Sequence, residues 1–264
     1  MGRAGLRLVT GAILVFIYFP LVLVIVYAFN RNIVASWPIP GLTLQWWARA
    51  IANPGVRDAL LTSIVAGIGA TAVALILGSL AALAVDRFRF FGREAISFVV
   101  ILPIALPGIV TGIAINAAVG AFGIGFGLAT VIVGHATFCV VLVYNNVLAR
   151  LRRTSPSLLE ASADLGADGW QTFWYVLWPV ISTALVAGGL LAFALSFDEV
   201  VVTFFTAGAQ NTLPLLILGY IRLGQQLPIV NAIAFVMILL TVIPVALAQR
   251  LMRDTGVVAR GTAK

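Results

Sequence analysis

Two pairs of acidic side chains are placed where they could bind a cation or a basic partner. Asp198 and Glu199 are adjacent at the end of a long apolar stretch, whereas Glu160 and Asp164 lie four residues apart in a polar segment. An ionised side chain near the centre of a bilayer costs about 2.5–3.5 kcal/mol, so an acid beside such a stretch is a candidate for binding. Four-residue spacing puts Glu160 and Asp164 on one helix face, where they repel each other unless a cation is near. The pair at the apolar stretch therefore favours a cationic or neutral ligand over an anionic one. The pair in the polar segment predicts a cationic neighbour, which is either a residue of a partner or an arginine of the same segment, namely Arg150, Arg152 or Arg153.

Groups that could carry out catalysis are too few for an enzyme site. His135 is the only histidine and Cys139 the only cysteine, which excludes a paired metal site and a disulfide, and no base accompanies a serine. A phosphate loop is excluded, because the lysine that such a loop requires does not follow the closely spaced glycines Gly123, Gly125 and Gly127. We therefore predict no catalytic residue, metal site or cofactor, and we interpret His135 as a hydrogen-bonded packing residue rather than a proton carrier.

The composition is that of a membrane protein. Hydrophobic residues make up 62% of the 264 residues and charged residues 9%, and the mean hydropathy is +1.11. A soluble domain carries about 25% charged residues, so an ordinary soluble fold is excluded. The net charge of +7 does not indicate a nucleic-acid partner, because the sixteen basic residues are scattered between apolar runs. The expected environment is a lipid bilayer.

Long charge-free stretches predict transmembrane helices, since about 20 apolar residues cross the hydrocarbon core. The first stretch could instead be a secretory signal, but its apolar part is longer than a typical signal core. With the N-terminus inside, twelve of the sixteen basic residues fall in the cytoplasm, which predicts that both termini are cytoplasmic. We predict one all-α transmembrane domain over residues 1–264, with spans at approximately 8–30, 60–85, 96–119, 127–149, 178–200 and 229–249.

Tryptophan and proline residues predict two local features of the membrane region. Trp46 and Trp47 follow Thr43, which can cap a short helix after the first span. Because tryptophan prefers the headgroup level, we expect this helix along the outer interface, as an anchor or as a contact for an external delivery protein. Pro103 and Pro107 remove backbone donors in the third span and predict a bend there.

The polar loop of residues 150–178 contains signals for two short helices. Ser157 with Glu160 fits a capping box, and Gly166 supplies a helix stop. Asp168 with Gln171 fits a second capping box, after which apolar residues recur at helical spacing. The loop is therefore predicted to form a helix, a glycine turn and a second helix on the inner side of the membrane.

Residues 160–166 read Glu-Ala-Ser-Ala-Asp-Leu-Gly, and Val-Leu-Trp-Pro follows after nine further residues. This pattern resembles the EAA loop of permease subunits in type I bacterial binding-protein-dependent ABC importers. Ser162, Val176 and Trp178 depart from the pattern, which has Ala, Ile and Leu there. The resemblance implies that the first short helix is a coupling helix that docks on an ATPase subunit, which binds the ATP and magnesium. A connector without a special role is the alternative. The implied contact and turn residues are Glu160, Ala161, Asp164, Leu165 and Gly166.

Two further segments, residues 102–108 and 196–200, are similar to the second permease of polyamine importers. This similarity implies a multi-pass subunit of the bacterial inner membrane that carries a small cation such as putrescine or spermidine. The implied partners are a homologous second permease, expected as a heterodimer, two ATPase subunits and a periplasmic substrate-binding protein. Another small amine or an amino-acid-like solute is the alternative cargo. An ion-coupled secondary transporter is a rival class, although no inverted repeat is evident and the EAA-like loop would have no role.

Aromatic side chains near Asp198 and Glu199, and polar side chains in or beside other spans, complete the candidate pathway. One of Asp198 and Glu199 is expected to face the pathway, because neighbouring helical residues point about 100° apart, and the choice between the two is left open. The alternative is that the pair lies at the outer interface and contacts water. Aromatic faces beside an acid could replace part of the hydration shell of an ammonium group. The additional pathway candidates are Phe193 and Phe197, followed by Asn116 and Tyr144.

Overall fold

The structure is a computed structural model that describes residues 2–34, 36–224 and 227–261, with the backbone alone for Arg3 and residues 253–261. Parts of the predicted 1–264 domain lie outside the described residues, namely Met1, Ala35, Gln225, Gln226 and residues 262–264. In the described part the elements are helical. They are α1 (Arg3–Ala28), α2 (Gln45–Ala52), α3 (Pro54–Arg87), α4 (Arg93–Ala105), α5 (Gly108–Ala121), α6 (Leu128–Leu151), α7 (Ser157–Asp164), α8 (Gly169–Thr172), a π-helical turn (Phe173–Leu177), α9 (Trp178–Asp198), α10 (Val201–Thr206), α11 (Leu213–Arg222) and α12 (Leu227–Gly261).

Five of the described helices are long and apolar enough to cross a membrane, and a sixth span results if α4 and α5 form one crossing. The all-α membrane class predicted from the sequence is therefore confirmed. The five helical segments overlap five of the predicted spans, and α8, the π-helical turn and α9 form one of them without interruption. The segments are Ala4–Ala28, Pro54–Arg87, Leu128–Leu151, Gly169–Asp198 and Leu227–Met252.

The third predicted span, residues 96–119, is broken into α4 and α5, which meet at an angle of 107°. The break lies at Leu106, whose φ of −84° and ψ of 142° are extended, as expected for a residue that precedes a proline. Pro107 then begins α5 without an N–H to donate back to α4. Pro103 lies inside α4 and does not end it. The predicted bend is present, and Pro107 rather than Pro103 is its source.

The chain divides into two compact units, one formed by residues 1–60 and 213–239 and the other by residues 61–212 and 240–264. Helices α3 and α12 contribute to both units, and the single transmembrane domain over residues 1–264 stays a prediction. In the first unit, α2 is bonded to the end of α1, because Trp46 Nε1 donates to Asn30 O (2.8 Å) and Trp47 Nε1 to Ala28 O (3.1 Å). The predicted short helix after Thr43 is thus present. Thr43 is not its cap, because Leu44 takes the N-cap position without a side-chain cap, although the Thr43 hydroxyl accepts from Gln45 N (3.2 Å).

Helix α6 is the centre of the second unit and has the largest buried share of the candidate spans. It packs against α9 and α10 and, through Val143 and Tyr144, against α3. Gly78 of α3 allows a very close approach there, since a Cβ at this position would lie 2.9 Å from Val140 O and 3.0 Å from Tyr144 N. A side chain of the neighbour could rotate away, but these backbone atoms cannot move without shifting α6.

We expect the Gly78→Ala variant to lower the free energy of unfolding by about 1–3 kcal/mol, the usual cost of inserting a methyl group into a packed interior. Thermal unfolding of the purified chain in detergent measures this change. Gly120→Ala is the matched control in α5, because a Cβ there meets no atom within 4 Å. That variant should be neutral or slightly more stable, since alanine favours helix more than glycine does. Equal stability of the two variants would contradict the close approach of α3 and α6.

Candidate functional site

The predicted coupling residues lie together on α7 and the turn that ends it. Glu160, Ala161 and Asp164 are exposed, and the Leu165 side chain is 88% exposed. Gly166 has a φ of +76°, a left-handed conformation that favours glycine. Its N–H donates to Ala163 O (2.9 Å) and the next N–H to Ser162 O (3.1 Å), which is the hydrogen-bond pattern of a Schellman cap. The predicted glycine stop is therefore present, and it leaves an apolar side chain beside two carboxylates on the surface.

The predicted capping box of Ser157 and Glu160 is absent, which corrects the sequence analysis. Pro156 takes the cap position and Ser157 is already the first helical residue, without a side-chain cap. The Ser155 hydroxyl accepts from Ser157 N (3.3 Å) instead. The Glu160 carboxylate is consequently not used to start α7, and it is available to another chain.

The second short helix begins with the predicted capping box. Gln171 N donates to Asp168 Oδ1 (2.7 Å), and Asp168 N donates to Gln171 Oε1 (3.0 Å). The buried Ser162 hydroxyl lies 2.9 Å from Thr172 Oγ1 and ties α7 to α8. Ser162 replaces the second alanine of the EAA pattern, and this hydrogen bond gives the replacement a structural role. Helix α7 is thus held to the start of the span that contains α9.

The two acids at the end of α9 have different surroundings. Glu199 Oε1 accepts from Val201 N (2.8 Å) and Val202 N (2.9 Å), so this carboxylate caps the first turn of α10. The backbone of Glu199 is extended, with a ψ of 118°, which separates α9 from α10. The Asp198 side chain is exposed. Of the two predicted candidates, Asp198 therefore has the carboxylate that is open to a ligand.

A chain of buried hydrogen bonds holds the turn that carries these acids. His135 is 1% exposed, with Nδ1 2.7 Å from Ser196 Oγ and Nε2 2.8 Å from Thr203 Oγ1. Thr203 donates its only hydroxyl proton to Glu199 O (2.7 Å), so it must accept from His135 Nε2–H. His135 Nδ1 then accepts the Ser196 proton, and this assigns the tautomer. The interpretation of His135 as a hydrogen-bonded packing residue is confirmed.

Sequence reasoning did not find the partners of His135, because Ser196 and Thr203 are 61 and 68 residues away. The only signal in the sequence is that one hydroxyl residue lies on each side of Asp198 and Glu199. Their bonds join α6, α9 and α10, so these three helices set the position of the Asp198 backbone together.

The remaining pathway candidates are engaged within the chain. Tyr144 and Phe197 are each 1% exposed, and the Tyr144 hydroxyl donates to Ser97 Oγ (2.9 Å). Asn116 Nδ2 donates to Phe205 O (2.7 Å) and so ties α5 to α10. The Phe193 ring is partly exposed and lies 5.8 Å from the Phe197 ring between centroids. Phe193 is therefore the aromatic side chain of this set with an accessible face.

Comparison with protein families identifies the chain. The family model described as "Binding-protein-dependent transport system inner membrane component" matches residues 74–256 of this chain. The chain belongs to this family. It is accordingly a multi-pass inner-membrane permease of a bacterial ABC transporter that also includes an ATPase and a binding protein. As such a permease it is not catalytic and binds no cofactor, because ATP is on the ATPase.

Similar curated proteins include two permeases of known transport systems. The spermidine/putrescine transport system permease protein PotC of Haemophilus influenzae is 32% identical over 243 residues, 91% of this chain and 93% of the relative. The putrescine transport system permease protein PotI of Escherichia coli is 32% identical over 228 residues, 83% of this chain and 80% of the relative.

Solved structures show the same fold at low sequence identity. A bacterial ABC transporter that imports the acidic polysaccharide alginate aligns with a TM-score of 0.69 and 15% identity, over 95% of this chain and 94% of that chain. The methionine ABC transporter in an inward-facing conformation aligns with a TM-score of 0.61 and 19% identity, over 81% of this chain and 99% of that chain. The helices described above therefore form the permease fold of ABC importers.

Proposed function

We propose that this permease imports a small polyamine such as putrescine or spermidine. The observation that carries the proposal is the 32% identity, over nine-tenths of both chains, to a permease named for spermidine and putrescine transport. The exposed carboxylate of Asp198 is consistent with an ammonium group as cargo, since a charge-assisted contact can replace part of its hydration. Another small amine or an amino-acid-like solute remains the alternative cargo.

Helix α7 is the proposed contact with the ATPase, on the cytoplasmic side together with both termini. Support comes from the EAA-like spacing, from the exposure of Glu160, Asp164 and Leu165, and from the excess of basic residues in the loops on that side. Leu165 offers an apolar side chain to fill a pocket, and the two acids offer charge to a basic rim. Gly166 and the bond from Ser162 to Thr172 connect this contact to the span, so a displacement of α7 moves α9 with it.

The proposed pathway runs along the interface with a homologous second permease, as a heterodimer above two ATPase subunits. The exposure of Asp198 in a single chain supports a partner, because an ionised carboxylate at a span is costly where it faces lipid. In this proposal Asp198 binds the cargo and Phe193 adds an aromatic face. Glu199, Asn116, Tyr144 and Phe197 hold the turn and the neighbouring helices in place. A periplasmic binding protein delivers the cargo, which crosses by alternating access.

Uptake by the complete transporter tests this function. We expect liposomes that contain this chain with its second permease, its ATPase and its binding protein to accumulate radiolabelled putrescine only when ATP is inside. Omission of the ATPase is the control and should abolish accumulation. Accumulation driven by an ion gradient without the ATPase would contradict the proposal and support a secondary transporter. Competition by amino acids, but not by spermidine, would replace the polyamine with the alternative cargo.

A further inference from the structure

A small cavity in the second unit lies at the ends of three membrane helices. It has a volume of about 130 Å³ and is lined by the last turns of α6, the start of α9 and the segment of α12 around Leu251. Arg150 and Arg153 of the α6 end line it, together with Asn146 and with Thr183 of α9. The described lining side chains include two guanidinium groups and no carboxylate. A cavity of this size exceeds the roughly 30 Å³ that one water occupies in the liquid, and it could hold a tetrahedral oxyanion.

The guanidinium groups are the donors that stay available at this cavity, since Asn146 Nδ2 already donates to Leu142 O (2.8 Å). Arg150 donates Nε–H to Val180 O (3.0 Å), which leaves the terminal nitrogens of its half-buried guanidinium for another acceptor. The carbonyl of Arg150 already accepts from Arg153 N (3.2 Å) and from the Thr154 hydroxyl (3.0 Å), so the guanidinium groups are not required to cap α6 there.

Thr183 of α9 adds a hydroxyl group to the residues that line this cavity. The Thr183 hydroxyl oxygen is buried and has no hydrogen-bond partner among the described residues. The buried hydroxyls of Thr71, Thr111 and Thr212 are in the same state, so the Thr183 oxygen alone does not indicate a ligand. The two guanidinium groups, without a carboxylate in the described lining, make the cavity suitable for a group that carries negative charge.

We propose that this cavity binds the phosphate group of an anionic phospholipid. Guanidinium groups match phosphate geometry because their N–H groups form a planar fork. The ends of membrane-spanning helices lie at headgroup depth, and the apolar side chains of Ala149 and Leu251 line the same cavity. A zwitterionic lipid would bring an ammonium group next to two arginines, so the site favours an anionic lipid. The site is separate from Asp198 and α7 and does not depend on the cargo.

Native mass spectrometry of the full chain in detergent, titrated with phosphatidylglycerol or with phosphatidylcholine of the same acyl chains, tests the proposal. We expect phosphatidylglycerol to bind more tightly to the natural chain. Arg153→Gln should weaken this binding roughly fivefold, the effect of one basic residue at a membrane surface. Arg152→Gln is the matched control, because Arg152 is an exposed neighbour that does not line the cavity. Equal losses in the two variants would overturn the site in favour of diffuse surface charge.

Ala149→Phe provides a second test that leaves both charges in place. A phenyl ring at this position should fill the cavity and reduce phosphatidylglycerol binding at least as much as Arg153→Gln does. Unchanged binding in Ala149→Phe would overturn the proposal, because the lipid would then not occupy the cavity. Inorganic phosphate serves as a competitor in the same titration. Displacement of the lipid by millimolar phosphate would reassign the cavity to free phosphate, whereas no displacement supports the lipid.

Discussion

ATP-driven uptake is expected to fall about 100-fold in the Glu160→Lys variant, while insertion into the membrane is unchanged. The proposed role of α7 as the contact with the ATPase leads to this result. Truncating one partner of a hydrogen-bonded charge pair that is buried in an interface costs about 2–5 kcal/mol, and reversal of the charge adds repulsion. A loss of about 3 kcal/mol corresponds to the 100-fold effect. Uptake and ATPase stimulation by the loaded binding protein, measured in proteoliposomes, would both show the loss.

The structure makes this substitution selective for docking. The Glu160 side chain is exposed and does not take part in the cap of α7, so lysine can replace it without loss of a hydrogen bond that the helix needs. Lysine also favours helix about as well as glutamate does. Glu94→Lys is the matched control, since it makes the same charge change at an exposed acid in the first turn of α4. Coupled uptake at the normal rate in Glu160→Lys would contradict the docking role, and equal losses in both variants would indicate a general effect of charge.

Long-range apolar composition and short-range turn signals were enough to predict much of the fold. Span positions depend on runs of about 20 apolar residues, which a sequence displays directly. Gly166 and the capping box of Asp168 with Gln171 depend on residues within one helical turn, so they too were predictable. The prediction of a capping box at Ser157 was wrong for a local reason. Pro156, with its fixed φ, starts the helix one residue earlier and leaves Ser157 inside it.

Features that depend on distant residues were not accessible from the sequence. Pro107 predicts a bend, but the angle of 107° also depends on how α5 packs against α10, for example through the bond from Asn116 to Phe205. The roles of Asp198 and Glu199 depend on where α10 begins, since the N–H groups of Val201 and Val202 engage the Glu199 carboxylate. Adjacency alone made the two acids equivalent, and tertiary structure distinguishes them.

This distinction leads to a large expected difference between two conservative variants. Asp198→Asn should raise the KM for putrescine about 10- to 100-fold, because a hydrogen bond to a charged group contributes about 1.5–3 kcal/mol. Glu199→Gln should change the KM less than about twofold, since a glutamine Oε1 can still accept from Val201 N and Val202 N at the start of α10. Initial rates of radiolabelled putrescine uptake across a range of concentrations measure both values.

A structural defect and a lost cargo contact would give different results in the Asp198→Asn variant. If Asp198→Asn acted by disturbing the turn, the thermal stability of the purified chain would fall as well. Its side chain is exposed, and the turn is held by Glu199 and by the bonds from His135 to Ser196 and Thr203, so we expect stability to be unchanged. A KM that stays at the natural value in Asp198→Asn would remove this residue from the pathway. A KM raised in Glu199→Gln alone would mean that the cargo displaces Glu199 from the backbone of α10, which reverses the roles of the two acids.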